Sequence, residues 1–301
     1  MNLSKRRRRI ALGAAFFAIV LGSLYIFRPG ASPSAMLACL PPGDGPVLFV
    51  DVSTLRQTGL LEQIAGQPGA EDPEYKSFVE ASGFDYRRDL DAGVVQLRAG
   101  EVWMVLKGRF DRPRLAQYAG AHGGHCAGQL CSMPGSQPQR YISFQPLGGG
   151  LLALAAAPDP MAAASIRKGA SVPPFETPSA PVWMHLPASA FHAQPELPVG
   201  ISAFLEALDG AEQALLRVEM NGGGFEIVLA APCASADKAK TIADRLSRAT
   251  ATLKELVARS GKQPEPASPA TILLAGTFSA NQAVVRGQWP LSKAVLAGWA
   301  R

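Results

Sequence analysis

Residues 10–27, IALGAAFFAIVLGSLYIF, carry neither charge nor proline, and five consecutive cations, Lys5 and Arg6 to Arg9, stand directly before them. As a helix these 18 residues cover about 27 Å, close to the hydrocarbon thickness of a bilayer. Only Arg28 follows closely. The positive-inside bias therefore predicts residues 1–9 as a basic cytoplasmic tail and residues 10–27 as a single-pass helix in a bacterial inner membrane. Everything beyond is then periplasmic or extracellular. Two rivals stay open. A cleaved signal peptide has a shorter apolar core and a small-x-small site, for which Ala35 is a poor candidate. Met36-Leu37-Ala38-Cys39 is faintly like a lipoprotein cleavage box, yet it lies too far from the apolar core.

The formal charge of +5 suggests a phosphate-binding surface until it is divided. Residues 1–28 hold six cations and no acid, which leaves 23 cations against 24 acids, or −1, for the rest. A surface without a net positive field lacks the main source of affinity for nucleic acid. The exported part is rich enough in hydrophobic residues to bury a full core, which argues against disorder. Its Ala, Gly, Pro and Arg bias is that of a GC-rich bacterial genome.

Residues 28–45 are rich in Pro, Gly, Ser and Ala and read as a tether. Residues 47–52 form a short apolar run, hence a buried strand, after which Ser53 or Thr54 caps a helix. Residues 94–98 and 101–107 make a hairpin across Ala99-Gly100, and Asp111-Arg112-Pro113 opens a helix. Residues 140–145 and 151–156 pair around Gly148-Gly149-Gly150, and Asp159-Pro160 opens a helix over 161–166. After the Pro-rich break 171–181 the same order recurs: strand 182–186, helix 201–208, hairpin 213–220 with 225–230, and the long amphipathic helix 235–260 ended by Gly261. A hairpin 272–278 with 282–289 and a helix 291–299 close the chain. The expected fold class is α+β: an N-terminal transmembrane helix, then a duplicated unit, 46–170 and 182–301, of antiparallel sheet with helices packed on one face.

Leu40-Pro41-Pro42-Gly43, the run from Gly83 to Asp91 (GFDYRRDLD), the Cys126 to Cys131 segment with Pro134-Gly135-Ser136, and Tyr141-Ile142-Ser143-Phe144 together give the chain a likeness. It resembles an uncharacterised group of bacterial single-span membrane-anchored proteins with duplicated α+β ectodomains. That group has no assigned activity, so the resemblance implies an address and no functional residue.

The sharpest local cluster is His122, His125, Cys126 and Cys131. Two imidazoles and two thiolates could hold Zn²⁺ or Cu⁺, but the spacing is not that of a standard finger. In an oxidising compartment the two cysteines are expected to close a small disulfide loop instead. Cys39 and Cys233 remain, with their pairing open. Asp85, Asp89 and Asp91 beside Arg87 and Arg88 read as a solvated turn with local ion pairs. His185 and His192 read as packing or surface residues, and the stripe of helix 235–260 as covering its own sheet. The chain shows no nucleophile elbow, zincin helix or phosphate loop.

The expectation is a non-enzymatic binding, scaffold or assembly protein of the envelope, without cofactor or catalytic residue. Its partners would be the inner membrane through residues 10–27, an envelope protein, and an apolar ligand between sheet and helices. The alternative is an extracytoplasmic metal-binding or metal-sensing protein built on the His122/His125/Cys126/Cys131 cluster.

Overall fold

A computed structural model describes residues 32–65, 73–98, 100–172, 175–192, 199–221, 224–261, 269–292 and 295. The expected span 10–27 lies outside the described residues, and no helix among those is long and apolar enough to cross a membrane. The architecture is mixed α+β, built on one antiparallel sheet of twelve strands.

The chain enters through α1 (Pro33–Leu37), then β1 (Val47–Val50), and four short helices, α2 (Val52–Gln57), α3 (Leu60–Ala65), α4 (Pro73–Ser82) and α5 (Tyr86–Asp89). The hairpin β2 (Leu90–Arg98) and β3 (Glu101–Gly108) leads to α6 (Arg112–Ala121). Two further hairpins follow, β4 (His125–Ala127) with β5 (Leu130–Pro134), and β6 (Tyr141–Gly148) with β7 (Leu151–Ala157). Beyond a 3₁₀ turn at Ala162–Ser165 come β8 (Val182–Pro187), α7 (Val199–Ala207), β9 (Gln213–Asn221), β10 (Gly224–Pro232) and α8 (Ala236–Ser260). The described chain then runs through α9 (Pro269–Leu274), β11 (Thr277–Asn281) and β12 (Val284–Leu291).

Strands β1 and β8 pair at the centre, Phe49 opposite Trp183. Outward from this seam the order is β1-β2-β3-β7-β6 on one side and β8-β9-β10-β12-β11 on the other. The β5–β4 hairpin extends the first side.

Register assigns each residue to a face, because side chains alternate along a strand and paired residues share a side. Phe49, Val94, Val105 and Ala153 lie in one row, as do Gln96, Trp103 and Ala155. This first face packs against Met36 and Leu37 of α1 and against Ala162, Ala163 and Ile166. Leu152 and Phe144 point the other way, onto Leu115 and Ala119 of α6. In the second half, Met184, Leu216 and Leu229 share that second face and lie beneath α7 and α8. The expectation of helices on one face alone is therefore corrected: the first half is covered on both. Strand β7, LLALAAA, shows why, since it is apolar at every position and has no polar side to offer water. Strand β12 does alternate, with Val285, Gly287, Trp289 and Leu291 buried and Arg286, Gln288 and Pro290 exposed.

The expected tether is also corrected. Ser32 accepts from the Ala35 amide at 3.2 Å and caps α1, and Met36, Leu37, Cys39 and Leu40 are all buried. Composition suggested a spacer because Pro and Gly dominate the stretch, but its four apolar residues are clustered closely enough to bury together. The Pro-rich break is fastened as well, with Ser171 N donating to Ala38 O and the Asp51 amide to Pro181 O. Asp51, rather than Ser53 or Thr54, caps α2 by accepting from the Thr54 amide at 2.9 Å. Residues 272–274, expected to open a strand, belong to α9, and Leu291 belongs to β12.

Other expectations hold. The long helix expected from residue 235 is α8, with Ser235 standing as its cap, and Gly261 ends it as expected, at φ 64°, the left-handed conformation that glycine adopts without penalty. Gly148, Gly149 and Gly150 all have φ between 65° and 76°, which fixes the β6–β7 turn as a glycine-only connection.

Candidate functional site

The sequence-predicted sites separate into structural ones and one that the structure disarms. Cys126 and Cys131 face each other across the β4–β5 pair and are joined by a disulfide with an S–S distance of 2.01 Å. Gly128, at φ 63°, makes the turn between them. Both sulfurs are consumed, so the thiolate half of the metal-binding alternative is gone in this state. His122 and His125 are exposed, and His122 Nδ1 lies 2.8 Å from Tyr118 O. The disulfide braces the outermost hairpin of the sheet. Replacing both cysteines by serine is expected to cost at most about 2 kcal/mol, the loop-entropy value for so short a ring, read from urea unfolding. A loss above about 4 kcal/mol would show that the bridge holds more than its own hairpin.

Cys39 and Cys233 are buried and unbonded to each other, in different core clusters. Burial pushes both thiols above the ordinary range, which suits packing rather than nucleophilic attack.

The acidic cluster is corrected in part: it does carry a local ion pair, Arg88 with Asp89, but it is not solvated throughout. Asp89 is not a solvated group but a buried carboxylate, gripped by Arg88 at 2.7 Å and Arg109 at 3.1 Å, and it also accepts from the Asp85 amide. The Arg88 hydrogen bond, outweighing the desolvation, draws its pKa down to about 2. Asp85 caps α5 and receives the Tyr75 hydroxyl at 3.0 Å. These bonds pin α4 and α5 to the start of β2, and no substrate-sized opening reaches Asp89 among the described cavities.

His185 sits on the first face of β8, with its Nε2 2.8 Å from Gln213 Oε1 and its ring stacked 3.9 Å from Phe175. Burial lowers its pKa, opposed by Gln213 and by the charge of Asp44, and Nδ1 has no partner. It is a packed, neutral histidine. His192 is exposed. The stripe of α8 meets its own sheet through Ala239, Ile242, Ala243 and Leu246.

The remaining candidate is a cavity of about 650 Å³ on the second face, where the two halves of the sheet meet. Its floor is the row Leu229–Leu216–Met184 with Leu186 beside it. Its roof is α7, which turns Ile201, Phe204 and Leu205 inward at the three-and-four spacing of a helix face, with Leu208 in the turn just beyond it. Leu246 of α8, Leu273 of α9 and Trp289 of β12 close the far end. The tip of the β2–β3 hairpin forms the near end through Leu97 and Val102, which are paired in register, and through Pro46.

The two ends differ in exposure. Leu229 and Leu246 are each 1% exposed, whereas Leu97 is 46% exposed. Arg98 and Glu101 reach the near end only at the hairpin tip. Arg98 belongs to the row of Val94 and Gln96, donates to Gln96 Oε1 through Nε and to Pro41 O, and lies 5.6 Å from the Trp103 ring. Glu101 accepts from Trp103 Nε1 at 3.3 Å. Both side chains therefore face the sheet side opposite the cavity. The volume falls in the range of small-molecule sites, about 300–1,000 Å³. Sequence reading places these residues in the core but does not reveal the void, because a cavity wall and a filled core use the same residues.

No protein-family model matches the chain, and no curated protein does. Among solved structures, three crystal forms of a protein named TP0453 align with it. Form I gives a TM-score of 0.47 at 10% identity, covering 89% of this chain and 97% of that one. Form III gives 0.42 at 8% over 88% and 97%, and form IV gives 0.41 at 8% over 88% and 96%. Scores below one half decide nothing about function.

Proposed function

We propose that the chain is a membrane-anchored, extracytoplasmic binding protein of the bacterial envelope, without catalytic activity, whose ligand is apolar. The cavity beneath α7 carries the reading: about 650 Å³ of space walled mostly by Leu, Ile, Met, Phe and Trp, with Arg98 and Glu101 confined to its rim at the β2–β3 hairpin tip. A tail leaving water for such walls gains about 0.8 kcal/mol per methylene, so ten methylenes offset an association cost in the lower part of the ~4–15 kcal/mol range. The charged run before residues 10–27 and the Cys126–Cys131 disulfide support the address. The matching strand order on the two sides of the β1–β8 seam supports a duplicated α+β ectodomain. The non-enzymatic reading draws on His185, which faces Gln213 and Phe175 rather than a nucleophile or a carboxylate.

The test is photolabelling of the full chain in phosphatidylcholine nanodiscs with an alkyl diazirine. Label is expected on residues 199–208 and 236–260. Leu205→Trp, which fills the space under α7, is expected to cut that label at least about fivefold, the equivalent of about 1 kcal/mol. Unlabelled α7 and α8 in the folded wild type would end the proposal.

A further inference from the structure

Resting on that reading, we propose that the ligand is an amphiphile with an anionic head, carboxylate or phosphate, and that Arg140 receives this head at the rim of the cavity. Two observations place Arg140 there.

The first is register. Leu97 pairs with Val102, Val102 with Ala156, and Ala156 with Ile142, so these four side chains share one face of the sheet, the face that carries the cavity. Arg140 stands two residues before Ile142, at the entry to β6, and alternation keeps it on that same face. The second is contact. The hairpin tip turns through Gly100 at φ 80°, and a Cβ added there would come within 3.3 Å of Arg140 Nη2. Gly100 lines the cavity, so the guanidinium lies against its rim. Glycine serves twice here, by taking the left-handed turn and by leaving room for that approach.

The charges on the rim are therefore unequal. Arg98 and Glu101 stand opposite each other across the hairpin, one cation and one anion. Both are engaged by neutral groups, Arg98 by Gln96 and Pro41 and Glu101 by Trp103. Arg140 is the second cation, with no second anion to match it. It is half-buried, and its side chain forms no ion pair or hydrogen bond with a described residue. A guanidinium keeps its charge at any ordinary pH, and its planar fork fits two oxygens of a carboxylate or a phosphate. Inward from the rim the lining is apolar as far as Leu229 and Leu246, each 1% exposed. An unpaired cation at the open end and apolar walls toward the closed end match a ligand with an anionic head and an aliphatic tail.

The experiment uses four photoreactive amphiphiles that share one saturated tail with a mid-chain diazirine and end in carboxylate, phosphate, hydroxyl or trimethylammonium. Each is added to the full chain in phosphatidylcholine nanodiscs at about pH 8.5, where both acids are ionised and arginine stays charged. Label on residues 199–208 and 236–260 is normalised to label on the lipid. The better of the two anions is expected to exceed trimethylammonium at least about fivefold, with hydroxyl between them. Whichever anion leads identifies the head, and either supports the proposal. Arg140→Gln is expected to bring the four probes within about twofold while leaving the hydroxyl label unchanged, and Glu101→Gln to widen the preference. Equal label from the four probes, or a preference that survives Arg140→Gln, overturns the anionic head and leaves the apolar-ligand reading intact. No cavity label from any probe, in protein with a native unfolding midpoint, sinks both.

Discussion

Trp183→Ala is expected to lower the unfolding free energy by about 3–5 kcal/mol, as deletion of a large buried aromatic does. Trp183 is 1% exposed, stacks on Phe49 at 5.4 Å and meets the edge of Phe175 at 5.5 Å. These three rings join β1, β8 and the segment between the halves, so one substitution loosens three elements at once. Against a typical total of about 5–15 kcal/mol, such a loss is a large share. Trp183→Phe should cost far less. The indole Nε1–H has no acceptor, and removing an unpartnered buried donor returns about 1–3 kcal/mol. Urea unfolding of the pair checks both. An alanine variant within about 1 kcal/mol of wild type would show that the seam is not where stability resides.

Asp89→Asn is expected to cost about 2–3 kcal/mol at neutral pH. The Asp89 side chain is 9% exposed and accepts from Arg88, Arg109 and the Asp85 amide. Breaking a fully buried ion pair costs about 3–5 kcal/mol, but the two arginine side chains are themselves 64% and 65% exposed, and solvent lowers the figure. The pH profile carries the sharper test. The folded-state pKa, near 2, lies below the unfolded value of about 3.9. The stabilisation is therefore fully present above pH 4 and drains away as pH falls toward 2. The gap between wild type and Asp89→Asn should close over that interval. A gap that persists at pH 2 would mean that asparagine fails on shape rather than charge.

The sequence revealed elements where one residue class had one structural use. Helix α8 was legible from its three-and-four spacing and its Gly261 stop. The β6–β7 turn was legible from three consecutive glycines, and the Cys126–Cys131 bridge from the short spacing of its cysteines around a glycine. Misreadings arose where a residue serves two purposes. Pro and Gly around residues 33–43 looked like a spacer although Met36 and Leu37 were being carried into the core. Ile272-Leu273-Leu274 fits a strand or a helix equally well over three residues, and packing beside α7 and α8 decided for α9. Asp89 looked exposed because charged residues surround it in sequence, and those same charges are what bury it. The cavity wall is a matter of volume, and no pattern of residue types records a missing volume.

The continuous ladder through β1 and β8 has a consequence for any attempt to dissect the protein. Cutting the chain between residues 168 and 181 would leave β1 and β8 each with a raw edge, four residue pairs long, and Phe49 and Trp183 stripped of each other. Freshly bared strands of that kind recruit other chains. The two halves, though alike in plan, are thus committed to being made, kept and degraded together.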